Sequence, residues 1–297
     1  MSHILELFYL IPEKIVTLLY LAALALIALA IAWRAGFFHL KHPYEMQRTG
    51  PNLFQLMGAF FVYLGIQVIL LPSLAITWIV ATDGEASIED AFSKPMVEGW
   101  INFVGVALAL PLLVGYSMLT KVAIWEKQGS SPMQRFRDIS LGVITWFIAF
   151  PIVTLAAETI HDLSRMMIEA PPLDQVAVRH LKSTYGDYFL TGASTIAIVA
   201  FVPVIEELLF RGFVQSYLRQ NHSAYVSILV TAGLFTLVHF SPSQGVANAE
   251  LLTGLFFLSL FLGFLYERQG SLWACIGLHC IFNAISVTMI LLGYGEG

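Results

Sequence analysis

Glu206 and Glu207 stand side by side in FVPVIEELLFRG, Phe201–Gly212, an otherwise apolar run that also carries Arg211. Each ionisable side chain at membrane depth costs at least ~2.5–3.5 kcal/mol on insertion scales, so three within six positions face a protein interior and do work there. Glu207 and Arg211 are four apart, with the acid on the N-terminal side, the favourable order for a helical ion pair. Glu206 points about 100° away around the helix and lacks that partner. A carboxylate held apart from a counter-charge suits a general base working near neutral pH. Pro203, just upstream, removes a helical hydrogen bond and is expected to open the helix there.

Two further pairs lie downstream in apolar runs. Phe235 and His239 are four apart, as are His279 and Asn283. One carboxylate, two imidazoles and an amide from three helices can hold a water and polarise a carbonyl. The carboxylate with one histidine would activate the water, and the other histidine with the asparagine would donate to a developing oxyanion. Each pair also has a structural reading: a Glu–Arg tether, interhelical hydrogen bonds from His and Asn, and packing for Phe235. Their concentration in three segments favours chemistry. Glu158 and His161, three apart in a mixed polar stretch, are expected on a solvated face. Glu206, His239 and His279 also form a two-His, one-carboxylate set of the kind that binds zinc, although HExxH, a GxSG-like elbow and paired membrane aspartates are all lacking.

The elements that must position these groups are membrane helices. The chain has 297 residues, 58% hydrophobic and 12% charged, with a mean hydropathy of +0.76, whereas soluble domains carry ~25% charged residues. The fold class expected is all-α, a polytopic transmembrane bundle of about eight spans. They run approximately Ile15–Trp33, Asn52–Ala81, Glu98–Met118, Ile139–Ala157, Tyr188–Arg219, Ala224–Phe240, Leu251–Tyr266 and Leu272–Leu292. Between the fourth and fifth lies a polar stretch, Glu158–Asp187, broken by Pro171–Pro172 and expected to hold a short amphipathic surface helix. Pro72 is expected to kink the second span.

Basic loops (Arg34, Lys41, Arg48; Lys121, Lys127, Arg135, Arg137) alternate with an acidic one (Asp83, Glu85, Glu89, Asp90), which puts both termini outside by the positive-inside rule. The N-terminus, with Glu6 and Glu13 against Lys14, reads as a retained first membrane helix and not a signal peptide. No basic patch points to nucleic acid. Cys275 and Cys280, five apart on one helix, are expected to pack and not to pair. A shift in composition near Tyr188 divides an anchor-like region, 1–187, from a region with buried polar groups, 188–297. The natural setting is expected to be a prokaryotic cytoplasmic membrane.

The ordered set EExxxR, FxxxH, HxxxN, on apolar helices from about Tyr188 to Leu292, resembles the CPBP family of intramembrane proteases, the CAAX-processing and bacteriocin-processing group that includes the Rce1-type endopeptidase. The resemblance implies that Glu206 is the base acting on water and His239 orients it. It further implies that His279 and Asn283 form the oxyanion site and that Glu207 and Arg211 brace the first helix. The implied activity is hydrolysis of a peptide or the end of a membrane-attached protein, without a cofactor. Alternatives are a zinc-dependent protease using Glu206, His239 and His279, a non-catalytic scaffold or immunity protein, and a proton-coupled transporter.

Overall fold

The computed structural model describes residues 2–40, 50–82, 95–126, 130–167 and 176–293. They form nine helices and, among the described residues, no strand. α1 is Ser2–Arg34. α2 is continuous through Leu53–Leu64, Gly65–Leu70 and Leu71–Thr82. α3 is Pro95–Leu119, α4 Pro132–Met167, and α5 the short Val176–Ser183. α6 runs through Tyr188–Ile196, Ala197–Phe201, Val202–Glu207, Leu208–Gln215 and Ser216–Leu218. α7 is Ala224–Leu237, α8 Ala247–Gln269 and α9 Leu272–Leu291.

Seven of the nine are long and apolar enough to cross a bilayer. Their outer faces carry large apolar side chains, such as Phe54, Phe61, Val68 and Phe147, each more than 60% exposed. In water such a belt would aggregate, so its solvent is hydrocarbon. The polytopic all-α architecture follows, with one correction to the span count. The sixth apolar run forms a helix of only 14 residues, rising ~21 Å against the ~30 Å of a hydrocarbon core. Ser223 caps its start by accepting from the Val226 amide, and the helix ends at Leu237, before His239.

The fourth span also departs from expectation. α4 does not stop at Ala157 but continues to Met167, so Glu158 and His161 lie on the membrane helix itself. They are half-buried, and His161 Nδ1 meets Glu250 Oε2 of α8 at 2.6 Å, so this is an interhelical contact and not a solvated face. α5 is the short helix expected in the polar stretch. Lys41, Arg48, Asp83, Glu85, Glu89, Asp90, Lys127 and Pro171–Pro172, which carried the sidedness and loop readings, lie outside the described residues.

The prolines are absorbed without breaks in helical structure. In α2 and α6 a π-helical turn precedes Pro72 and Pro203: Leu71 N–H bonds Ile66 O and Val202 N–H bonds Ala197 O, each five residues back. The next carbonyls in that ladder, of Gln67 and Ile198, then face a proline that has no N–H to donate.

α4 lies at the centre, with α9, α8 and α1 as its most extensive partners. The α4–α9 crossing is backbone against backbone. A Cβ on Gly277 would lie 2.5 Å from the Ile139 carbonyl oxygen, and one on Gly142 would collide with that of Ala274. α8 and α9 form a tight hairpin through Gly270, in the left-handed conformation at φ 63°, and Ser271, whose hydroxyl accepts from the Trp273 amide. Cys275 and Cys280 are both free thiols, and Cys275 packs with its Sγ 3.2 Å from the Leu262 carbonyl oxygen.

Candidate active site

α6 and α7 are joined by a short turn, and this brings their polar residues to one depth. Glu206 lies 12 residues before the end of α6 at Leu218, and His239 lies 15 after the start of α7 at Ala224. At 1.5 Å per residue these are ~18 and ~22 Å from the same turn. The 31-residue length of α6 is taken up at its N-terminal end, beyond the site.

Glu206, 19% exposed, sits between two imidazoles. Its Oε1 is 3.5 Å from His239 Nε2 and its Oε2 is 3.6 Å from His279 Nε2. Both rings are fixed from behind. His239 Nδ1 lies 2.7 Å from the Phe235 carbonyl oxygen, which can only accept, so Nδ1 carries the proton. His279 Nδ1 lies 2.8 Å from Glu207 Oε1 and donates to it. In the neutral rings both Nε2 lone pairs therefore point at the Glu206 carboxylate. Acceptors facing acceptors need a bridge between them, such as a water that donates to both.

The bracing network is buried. Glu207 and Arg211 have no exposed surface, and Arg211 Nη1 donates to Glu207 Oε1 at 3.1 Å. Arg211 Nη2 donates to Ser259 Oγ at 2.6 Å and to the Ser259 carbonyl at 3.1 Å, tying α6 to α8. Phe235 is fully buried and separates these layers: the Arg211 guanidinium lies 4.8 Å from its ring centre, His239 4.7 Å and His279 6.2 Å.

Asn283 reaches back to α6, where its Nδ2 donates to the Ile198 carbonyl at 2.8 Å. This is the carbonyl that Pro203 leaves without a helical donor. One of its two amide N–H groups is thus engaged in capping α6, and one remains. Among the described residues, no set of three His, Cys, Asp or Glu is arranged to hold a metal ion.

His239 and His279 thus flank Glu206, with Glu207, Arg211 and Phe235 packed behind them, while Asn283 reaches α6 at Ile198, eight residues before Glu206. Sequence reasoning passed over three others. Ser259 is a hydroxyl amid the apolar stretch of α8, and its contact with Arg211 gives it a role. Asn248 holds the loop behind His239, accepting from the Ser241 amide at 3.1 Å and donating to the Ser241 and Gly245 carbonyls at 2.7 and 3.0 Å. Tyr63, on α2, lies one turn beyond the contact of Phe60 with Phe210 of α6, at the level of Glu206. A polar side chain inside an apolar run was the available signal for Ser259 and Tyr63.

Residues 189–285 match the family model described as type II CAAX prenyl endopeptidase Rce1-like. No curated protein and no solved structure matches the chain. The matched segment holds Glu206, Glu207, Arg211, Phe235, His239, His279 and Asn283 together with the helices that bear them, and over this third of its length the chain is similar to the Rce1-like CAAX prenyl endopeptidases.

Proposed function

We propose that the protein is a glutamate-dependent intramembrane endopeptidase that hydrolyses a peptide bond in a membrane-associated peptide or protein. The observation that carries this reading is the position of Glu206 between two Nε2 atoms whose partner nitrogens are both held by acceptors. A water donating one hydrogen to Glu206 and one to His239 has its lone pair free for a carbonyl carbon. As it attacks, its proton passes to Glu206, and the carbonyl π pair moves onto oxygen. That oxygen accepts from His279 Nε2–H and from the free N–H of Asn283. His279 donates there when both of its ring nitrogens carry a proton, Nδ1–H to Glu207 and Nε2–H to the oxyanion. Collapse returns the electron pair, breaks the C–N bond, and sends the proton from Glu206 to the leaving amine.

Glu206→Gln tests the reading. Purified protein in nanodiscs is incubated with a peptide library that includes lipidated C-terminal peptides, with and without a chelator, and products are read by mass spectrometry. Wild type is expected to cleave, chelated or not, while Glu206→Gln loses at least ~10³-fold in rate, roughly the share of a general base plus its water geometry. Cleavage abolished by chelation would replace this mechanism with a metal one. Equal products from both proteins would remove Glu206 from the chemistry. The Rce1-like match supports a protease acting on a substrate in the bilayer, and we assign the location as a prokaryotic cytoplasmic membrane.

A further inference from the structure

α2 lies outside the segment that matches the family, yet it forms one wall of the space in front of Glu206. Phe60 packs edge-on against Phe210 of α6, ring centres 6.0 Å apart. The Gln220 amide bonds the Pro51 carbonyl at the start of α2, so α2 runs antiparallel to α6 and, one turn beyond Phe60, Tyr63 comes level with Glu206. A further turn brings Gln67, whose side-chain amide lies across Gly105 of α3, where a Cβ would sit 3.0 Å from its Oε1. Tyr63 and Gln67 are half-buried, and among the described residues neither side chain has a hydrogen-bond partner. Gln67 also carries the main-chain carbonyl that Pro72 leaves without a donor. Unsatisfied polar groups inside a membrane span are costly and are kept where something else satisfies them.

What would satisfy them has a definite chemistry. Gln67 offers a side-chain donor and acceptor and a main-chain acceptor, and Tyr63 offers a hydroxyl, both within about one helical turn. A peptide group in an extended chain presents one N–H and one C=O and matches such a pair. The stripe continues along α2 into a cavity of about 580 Å³ between α2 and α3, lined by Leu71, Leu74, Val97, Trp100, Ile101 and Val104. That lining is apolar and admits a large apolar side chain.

We propose that the α2–α3 cleft is the substrate-binding cleft: Tyr63 and Gln67 hydrogen-bond the main chain of an extended peptide beside the scissile bond, and the apolar cavity takes one of its bulky apolar side chains. This rests on the peptidase reading, and it makes Tyr63 and Gln67 specificity-determining residues of that site.

The test uses full-length protein in nanodiscs and a biotinylated pool of random twelve-residue peptides. Tyr63→Phe and Gln67→Leu conserve size, and neither change removes a hydrogen bond within the protein. Each is expected to raise KM about three- to tenfold with kcat nearly unchanged, the loss of one hydrogen bond to bound substrate. Ile101→Trp, which fills the cavity, is expected to abolish cleavage of peptides with Leu or Phe at the preferred position and to spare those with Ala there. In a Glu206→Gln background, the photoreactive change Tyr63→p-benzoylphenylalanine is expected to crosslink the pool at least about tenfold more than the same change at lipid-facing Phe61.

Wild-type cleavage with unchanged KM in both variants, and equal crosslinking from positions 63 and 61, would overturn the cleft and leave the peptidase standing. Crosslinking from 63 by a protein that cleaves nothing would do the reverse. Neither cleavage nor crosslinking would overturn both.

Discussion

At the scale of single residues, the site depends on where protons are held. Glu207 Oε1 accepts from both His279 and Arg211, so one oxygen sets the orientation of a ring and the position of a guanidinium. Glu207→Gln keeps an oxygen there but leaves the Arg211 charge buried and unpaired. It is expected to cost about 3–5 kcal/mol of stability and to reduce kcat in the surviving folded protein, because the amide that replaces the carboxylate holds the His279 ring less firmly. Ser259→Ala removes only the 2.6 Å bond from Arg211. Its expected cost is about 1.5–3 kcal/mol, the range for a hydrogen bond to a charged group, and the ion pair with Glu207 stays intact. Thermal unfolding in detergent checks the ranking. If Ser259→Ala proves as damaging as Glu207→Gln, the charge balance is not what braces the site.

At the scale of elements, the tightest coupling is between Pro203 and Asn283. The π turn of α6 and the missing proline N–H free the Ile198 carbonyl, and α9 supplies the Asn283 amide to it. Asn283→Ala alone is expected to destabilise by about 1–3 kcal/mol, the cost of an orphaned buried carbonyl. Pro203→Ala restores a backbone donor, so in the double variant much of that loss should return. A double-mutant cycle on thermal stability reads the coupling directly, and strict additivity would show that Asn283 does not serve the proline. The cycle also separates two roles of one side chain, since restored stability without restored activity isolates the oxyanion contribution.

The same scale explains what was legible in the sequence. Charges in an apolar run are conspicuous because hydrocarbon tolerates so few, so Glu206, Glu207 and Arg211 stood out before any fold was known. His239 stood out too, but its depth did not, because an apolar run does not reveal that its helix stops at Leu237, nearly two turns short of a full span. The end of α4 was misplaced for a related reason. Hydropathy falls at Glu158 while the helix continues, because His161 and Glu250 satisfy each other between α4 and α8. The partner of Asn283 was hidden because it is a backbone group whose need arises from the ladder shift before Pro203. Tyr63 gains its role only from α6, far along the chain, and Asn248 only from the fold of the loop three to seven residues before it.

At the scale of the whole molecule, the upstream helices are part of the site's foundation. α9, which carries His279 and Asn283, has α4 as its main partner, and the two approach so closely that Gly142 and Gly277 leave no room for a side chain. Close backbone approach through small residues is how membrane helices associate when burial alone gives no driving force between them. A branched side chain at Gly277 must push α9 away from the Ile139 carbonyl. His279 lies two residues on, so the displacement carries its ring off Glu206 and Glu207. Gly277→Val is therefore expected to lower stability by several kcal/mol, as overpacking with backbone shifts does, and to abolish cleavage even where folded protein can be recovered. Val68→Leu, on the lipid face of α2 and 66% exposed, adds comparable bulk where hydrocarbon yields to it and is expected to change neither. Measured side by side for melting temperature and turnover, the pair distinguishes a catalytic core that stands on the α4–α9 contact from one that merely lies beside it. Wild-type turnover in Gly277→Val would establish the second arrangement.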